Sequence, residues 1–405
     1  MRARELGVEV GAGTPGPLNA ITDVAGVRVG HTTLIEGNGP LEVGRGPVRT
    51  GVTVILPHDG EVWEESLFAG CHRLNGNGEL TGLEWVRESG MLTSAIGLTN
   101  THSVGVVHDA LIALEVAARG GDRVLWALPV VGETWDGRLN DINGFHVKPE
   151  HVARALVAAA GGPVTEGSVG GGTGMVCHGF KGGIGTASRV VPAEQGGFTV
   201  GALVQANHGR RARFQVNGVP VGQVIGVEEV PLPHPPAPAS ARGPGPGGTG
   251  AASGPAPGGA GGPAAGGAGP EAAGSIIVVV ATDAPLLPNQ CERLAQRAGL
   301  GVARTGGVGE HSSGDLFLAF ATGNRGLSHG DYDVVEPLTV PLRMLSNSYI
   351  TPLFDAVVEA TEEAILNAML QAGTMVGQDG ITAHGLDGHR LVEVMRSYGR
   401  GPAEG

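Results

Sequence analysis

Charged and aromatic residues are scarce in this 405-residue sequence, at 16% and 4% of the chain, whereas apolar residues make up 41%. This composition is not typical of a disordered chain and favours a tightly packed α/β protein rich in Ala, Val and Gly. Positive charge is especially short: the net charge is −13, and the strongest basic cluster is the pair Arg210 and Arg211. We therefore expect no nucleic-acid partner, because such a partner requires clustered Lys and Arg.

Cysteine is also scarce. Cys71, Cys177 and Cys291 are odd in number and far apart, with no CxxC pattern and no His at metal-ligand spacing beside them. This set fits a reducing compartment. Residues 1–16 carry charges without an apolar stretch, and no run of about 18 apolar residues occurs that could cross a bilayer. The expected location is the cytoplasm, with no membrane partner.

Sequence motifs for metals and cofactors are missing as well. There is no HExxH or comparable His/Cys spacing. The glycine-rich stretch Gly170–Gly185 lacks the residues that hold phosphate and Mg²⁺ in a phosphate loop, because Gly179 is followed by Phe180 and Lys181. We predict no metal and no cofactor, and interpret these glycines as close backbone packing or as a substrate-lining loop.

One segment differs sharply from the rest. Residues 231–274 are almost entirely Pro, Gly, Ala and Ser, with Arg242 and Glu271 as the only charges. Such a segment buries too little apolar surface to offset its ordering entropy, so it predicts a flexible tether. On composition alone, an ordinary interdomain linker is about equally compatible.

The remaining chain mixes strand and helix patterns. Ser275 follows the tether and leads into Ile276–Ala281, a β-branched run typical of a strand buried on both faces. Further strands are predicted at 52–56, 123–131, 197–204, 219–227 and 316–321, and helices at 104–118, 149–160, 288–298 (ended by Gly299) and 352–372. Together they indicate layered sheets covered by helices.

Ser275 is the candidate nucleophile. A serine hydroxyl needs a base, yet the G-x-S-x-G marker is absent and no His stands in an obvious triad context. A serine that becomes the first residue of a chain carries its own base, since an unperturbed α-amino group has a pKa of about 7.7–8.0. Gly274 permits local backbone strain and leaves no side chain to block attack on its carbonyl.

Several blocks outside the tether carry a family resemblance. The blocks are Ile21–His31, Leu74–Glu79, Leu98–Gly105, Asn140–Gly144, Gln205–Gly209, Gly274–Ser275 and Ser312–Asp315. In these blocks the chain resembles the DmpA family, the self-processing L-aminopeptidase/D-amidase-esterases and β-peptidyl aminopeptidases, which share a fold class with ornithine acetyltransferase.

The resemblance implies roles for individual residues. Ser275 matches the family's nucleophile, released by cleavage at Gly274–Ser275, and Asn207 matches the oxyanion-hole residue. Ser313 and Asp315 match the pair that orients the nucleophile and its amine, where the acidic member varies between Glu and Asp.

Substrate contacts are implied in the same way. Glu133 looks like the carboxylate that pairs with the substrate's ammonium group, and Trp135 and Asn100 are expected beside it.

The resemblance also implies a four-layer αββα sandwich, an α/β (α+β) fold of the DmpA/ornithine-acetyltransferase type. Residues 1–230 and 275–405 would form two parts of one domain, separated as two chains by self-cleavage. The expected enzyme is a serine aminopeptidase acting on small peptides, amides or esters with a free amino group. A homotetramer of cleaved pairs is expected.

Other readings stay open at this point. An acyltransferase like ornithine acetyltransferase is the nearest competitor, although its nucleophile is Thr. A non-catalytic scaffold whose tether joins two lobes is a second. Without the resemblance, Asn207 beside Gly209 would be a structural turn residue, and Ser313 and Asp315 a solvated loop.

Overall fold

The computed structural model describes residues 1–121, 125–235, 274–327 and 337–402. Its strands are β1 (Arg28–Glu36), β2 (Val48–Leu56), β3 (Leu67–Gly76), β4 (Met91–Leu92), β5 (Ile96–Asn100), β6 (Val130–Thr134), β7 (Val176–Cys177), β8 (Phe180–Lys181), β9 (Gly183–Val190), β10 (Thr199–Asn207), β11 (Ser275–Thr282), β12 (Gly314–Ala321), β13 (Met375–Val376) and β14 (Thr382–Ala383). Its helices are α1 (Leu83–Ser89), α2 (Val104–Ala118), α3 (Pro149–Val157), α4 (Val221–Val224), α5 (Pro288–Arg304), α6 (Thr351–Leu370) and α7 (Gly388–Ser397).

Two large sheets form the centre of the molecule. One has the strand order β1-β2-β5-β6 and the other the order β4-β3-β12-β11-β10-β9. A hydrophobic core between them combines Ile55 and Leu98 of the first sheet with Leu203, Ile277 and Leu318 of the second. The sheets therefore pack face to face.

Helices cover both outer faces. Val107 and Leu111 of α2 and Val152 of α3 pack on Val52 and Val54 of the four-stranded sheet. Helices α5, α6 and α7 share a second core with the outward face of β9–β12. This arrangement is the predicted four-layer αββα sandwich.

The position of strand β11 explains its continuous apolar run. Ile277, Val279 and Ala281 point into the core between the sheets. Ile276, Val278 and Val280 alternate with them and pack into the helix-covered core. Because both faces are buried, the strand needs apolar residues at every position.

The strands before and after the predicted tether share one sheet. β10 pairs with β11 in antiparallel register, and β3 pairs with β12 likewise. Of the tether, 231–274, only residues 231–235 and Gly274 lie within the described residues.

The glycines of Gly170–Gly185 pack closely, as predicted. A Cβ on Gly171 would lie 2.1 Å from Oε1 of Gln205, and one on Gly172 would lie 2.4 Å from the backbone nitrogen of Ile184. Larger side chains cannot fit where these backbones meet.

Some predicted elements are wrong in extent or type. The helix predicted to stop at Gly299 continues to Arg304 as α5, since the buried Val302 and the close approach of Gly301 to α6 outweigh the helix-breaking tendency of glycine. The helix predicted at 149–160 ends at Val157.

Two predicted strands also differ. The β-branched residues of 219–227 contain the short helix α4 instead, which follows Pro220 and packs against Arg211. In the strand predicted at 123–131, residues 122–124 lie outside the described residues, and regular structure begins only at Val130. Within the described ranges, no helix is both long and apolar enough to traverse a bilayer.

Candidate active site

Ser275 begins strand β11, at a point where three strands of the same sheet meet in register. Asn207, the last residue of β10, pairs with Ser275 across the antiparallel ladder. Gly314, the first residue of β12, pairs with Ser275 across the parallel ladder. Residues that are far apart in sequence therefore form one row at one end of the sheet.

The segment Ser313–Asp315 holds Ser275 from one side. The backbone amide of Gly314 donates a hydrogen bond to Oγ of Ser275, at 3.1 Å. Ser313 donates its hydroxyl proton to Oδ1 of Asp315, at 2.6 Å, and the backbone amide of Ile276 also donates to that carboxylate. The segment thus fixes both the nucleophile and the residue after it.

The carboxyl group of Asp315 is buried. Burial raises the pKa of Asp315 to about 6, and the negative charge of Glu310 adds to this effect, whereas the hydrogen bond from Ser313 opposes it. Asp315 therefore changes its charge near the pH at which a hydrolase works.

Asn207 holds its side-chain amide in a fixed orientation. Its Oδ1 accepts a hydrogen bond from the backbone amide of Val176 at 2.7 Å, and its Nδ2 donates to the backbone carbonyl of Trp135 at 2.9 Å. These two bonds define which end of the amide is the donor. One N–H of Nδ2 remains for a developing oxyanion, because an amide nitrogen carries two.

Glu133 lies beside the same segment. A Cβ placed on Gly78 would be 3.0 Å from Cα of Gly314 and 3.2 Å from Oε1 of Glu133. Glu133 accepts hydrogen bonds from the Glu79 backbone amide and, through a short contact, from the Thr101 hydroxyl. Burial raises the pKa of Glu133 above its usual range.

A small cleft of about 20 Å³, enough for about one water molecule, lies beside Asn207. Its walls include Trp135, whose side chain is 37% exposed, and the segment Leu232–His234. Arg138 donates to the backbone carbonyl of Pro233 at 3.1 Å and so fixes that segment. The cleft therefore marks the Asn207 side of the row without exposing Ser275.

Asn100 is buried, as are the other predicted site residues except Trp135. It ends β5 and donates to Oγ1 of Thr50 at 2.7 Å. Its amide also bonds Asp136, a fully buried carboxyl whose pKa is raised by burial. Of the predicted site residues, only Asn207 and Trp135 line the cleft, and the contact of Asn100 with substrate stays a prediction.

Two groups near this site were not predicted from the sequence. Lys181 is fully buried, donates to the carbonyls of Met175 and Gly182 at 2.9 and 2.8 Å, and has a pKa lowered by burial. The signal was available, because Lys181 is one of only two lysines in the chain and stands in an apolar context.

The second missed group consists of Cys177, His178 and His208, all buried. Cys177 and His178 are adjacent in sequence, but His208 joins them only because β7 lies beside the end of β10. The spacing of these three residues along the sequence could not reveal the cluster.

Taken together, the site has a buried hydroxyl, a fixed amide donor and two buried carboxyl groups around one backbone bond, Gly274–Ser275. Gly274 is itself confined: a Cβ there would lie 2.0 Å from the backbone oxygen of Asn207. A hydroxyl, an amide donor and a confined peptide bond are the components that acyl transfer requires.

The chain is also similar to known proteins in sequence. The family model "Peptidase family S58" matches residues 19–383. The chain is 46% identical over 403 residues to the β-peptidyl aminopeptidase BapA of Sphingosinicella microcystinivorans, covering 98% of this chain and 93% of that one.

Solved structures show the same similarity. A Burkholderia sp. β-aminopeptidase superposes with a TM-score of 0.84 at 52% identity, covering 98% of this chain and 99% of that one. The L-aminopeptidase D-Ala-esterase/amidase of Ochrobactrum anthropi, described as a variant of the Ntn hydrolase fold, gives 0.80 at 42% identity and 99% coverage of both chains.

Proposed function

This chain belongs to peptidase family S58, and we propose that it is a serine aminopeptidase that makes its own nucleophile by breaking the Gly274–Ser275 bond. The observation that carries the proposal is the row Asn207–Ser275–Gly314, in which three strands meet at one hydroxyl. As a member of this family the protein is a hydrolase of peptide bonds. Self-cleavage, the residue roles and the substrate are the proposed parts.

Self-cleavage starts with attack by Oγ of Ser275 on the carbonyl carbon of Gly274. The new C–O bond replaces the C–N bond, and the released nitrogen takes up the hydroxyl proton. Water then hydrolyses the ester, which leaves a carboxylate on Gly274 and a free α-amine on Ser275. The confinement of Gly274 supports this step, because its carbonyl has little freedom to move away from the attacking hydroxyl.

Substrate turnover uses the same atoms. The α-amine of Ser275 accepts the Oγ proton and later passes it to the leaving amine. Nδ2 of Asn207 donates to the oxyanion of the tetrahedral intermediate, a contribution typically worth about 2.7–4 kcal/mol. Water releases the acyl group and restores the hydroxyl.

Glu133 selects substrates with a free amino group. Its buried carboxylate lies beside Gly314 and faces no cation among the hydrogen-bond partners described for it. A substrate ammonium group would supply that charge. We propose that the acyl part is a β-amino acid, as the names of relatives at 46% and 52% identity suggest.

Association of the cleaved pairs into a tetramer is a further proposal. The described segment 337–350 exposes four large apolar side chains, which is typical of a surface covered by another chain: Leu338, Leu342, Met344 and Tyr349. Light scattering of the purified protein measures the number of pairs.

Intact mass tests the assignment of the nucleophile. The wild-type protein should separate into two fragments, and the second should begin at Ser275. Ser275→Ala should remain one chain of 40.8 kDa without aminopeptidase activity. Ser168→Ala is the matched control, because the buried Ser168 hydroxyl has no hydrogen-bond partner among the described residues.

A small substrate panel tests the specificity. Release of p-nitroaniline from β-homoalanyl, L-alanyl and N-acetyl-β-homoalanyl anilides should be fastest for the first and undetectable for the third. Turnover by an unbroken chain would refute the mechanism, and equal turnover of the acetylated compound would refute the role of Glu133.

A further inference from the structure

The cluster of Cys177, His178 and His208 lies behind the oxyanion side chain and takes no part in the proposed chemistry. One potential ligand atom from each residue lies within 4.8 Å of the other two. All three side chains are buried, with His208 at the wall of the cleft beside Asn207. Thiolate and imidazole are the ligands that zinc prefers in proteins.

The spacing already fits a tetrahedral ion. Sγ of Cys177 and Nδ1 of His208 are 3.7 Å apart. Bonds of about 2.3 Å to sulfur and about 2.0–2.1 Å to nitrogen, at a tetrahedral angle, place two such atoms about 3.6 Å apart. These two side chains therefore need almost no movement to share a zinc ion.

His178 presents an unused nitrogen. Its Nδ1 lies 3.3 Å from the backbone carbonyl of Arg210, a contact that favours a proton on Nδ1. Its Nε2 is buried and has no hydrogen-bond partner among the described residues. A carbonyl that holds one ring nitrogen while the other faces a metal is a frequent arrangement around zinc.

The backbone fixes the cluster in advance. His178 and Gly179 both have positive φ, at 49° and 72°, and form the two-residue turn between β7 and β8. The His178 backbone amide donates to the carbonyl of His208 at 2.7 Å, which ties the turn to the end of β10. Little conformational entropy is left to lose when an ion binds.

We propose that Cys177, His178 and His208 form a binding site for one zinc ion, with a fourth position open to water or another small ligand. Coordination releases the Cys177 thiol proton to solvent. The positive charge of the bound ion balances the negative charge of the thiolate that remains. His208 directly follows Asn207 in the chain, so an ion bound here would lie near the end of β10 that pairs with Ser275. This site is separate from the proposed aminopeptidase chemistry and does not depend on it.

Metal binding to the full-length protein tests the site. Metal-free protein is titrated with Zn²⁺, and bound metal is counted by elemental analysis after gel filtration. Wild-type protein should retain one ion per cleaved pair of chains. Co²⁺ in place of Zn²⁺ should give a near-ultraviolet thiolate-to-metal charge-transfer band.

Variants locate the ion. Cys177→Ser should remove the band and weaken binding by more than the ~10–100-fold typical of changes outside the ligand set. Cys291→Ser is the matched control, because Cys291 is equally buried but its thiol contacts the Phe68 carbonyl, and it should bind like wild type. His178→Gln should also lose binding, which covers the case in which Cys177→Ser does not fold.

Ser275→Ala separates this site from the nucleophile, whose amine and hydroxyl also attract metals. The cobalt band should persist in that variant. The proposal is overturned if wild-type protein retains no ion, if the band survives in Cys177→Ser, or if the band is lost in Ser275→Ala.

Discussion

A single methyl group at the scissile bond should separate self-cleavage from catalysis. Gly274→Ala places a Cβ 2.0 Å from the backbone oxygen of Asn207 and 3.2 Å from Cα of His208. Both are backbone atoms at or just after the end of β10, so neither can rotate away as a side chain would. Residue 274 itself must move, and its carbonyl is the group that Ser275 attacks.

The size of the effect follows from the overlap. Ordinary contact begins near 3.4 Å, so the Cβ must move by more than 1 Å. Misplacement of about 1 Å at a reacting centre can cost on the order of 10²-fold in rate. We expect self-cleavage of Gly274→Ala to slow by about 100-fold.

The assay follows freshly synthesised protein over time and measures the fraction of uncut chain by denaturing gel and intact mass. Gly105→Ala is the control, since Gly105 lies in α2 with open space around it and no positive φ. That variant should process at the wild-type rate and gain slightly in stability.

The fraction of Gly274→Ala that does cleave should be fully active. Once the bond is broken, residue 274 is the end of another chain and can move away from Asn207, so kcat/KM should match wild type. Processing of Gly274→Ala at the wild-type rate, with circular dichroism unchanged, would refute the idea that confinement of Gly274 aligns the scissile carbonyl.

Three further changes test the remaining roles. Asn207→Ala should lower kcat by about 10²–10³-fold through loss of the oxyanion donor; an unchanged kcat in the cleaved enzyme would contradict that role. Glu133→Gln should raise KM for unblocked anilides, with a loss in kcat/KM of roughly 5- to 13-fold, because a charge-assisted bond worth about 1.5–3 kcal/mol becomes a neutral one worth about 0.5–1.5 kcal/mol; a loss confined to kcat would argue against ammonium binding. Asp315 is neutral below its raised pKa of about 6 and ionised above it, so the rate of self-cleavage should rise as the pH increases through that value. Asp315→Asn should abolish this rise in the rate with pH. A pH–rate profile identical to that of wild type would assign the rise to another group.

Several local features followed from the sequence alone. Helix α2 has the predicted bounds, because its apolar residues recur at helical spacing, and α6 begins one residue before and ends two residues before the predicted bounds. The β-branched run after Ser275 is a strand buried on both faces. The αββα sandwich came from the family resemblance of ordered blocks rather than from any single pattern.

The errors share a physical cause. Gly299 ends a helix by local propensity, yet α5 continues because Gly301 and Val302 pack on neighbours that are remote in sequence. The β-branched residues near Val221 favour a strand locally, but contact with Arg211 makes them a helical turn. Local propensity is weak, and tertiary packing overrides it.

The sequence by itself determined the candidate nucleophile. Gly274, Ser275 and a run of apolar strand residues follow one another directly, at the end of a segment with too few apolar residues to form a core. Only the tertiary structure decided what surrounds that serine. The ladders that align Asn207, Ser275 and Gly314, and the turn that brings Cys177 and His178 to His208, depend on strand register. Register is set by hydrogen bonds and burial between distant segments, which no local pattern of residues encodes.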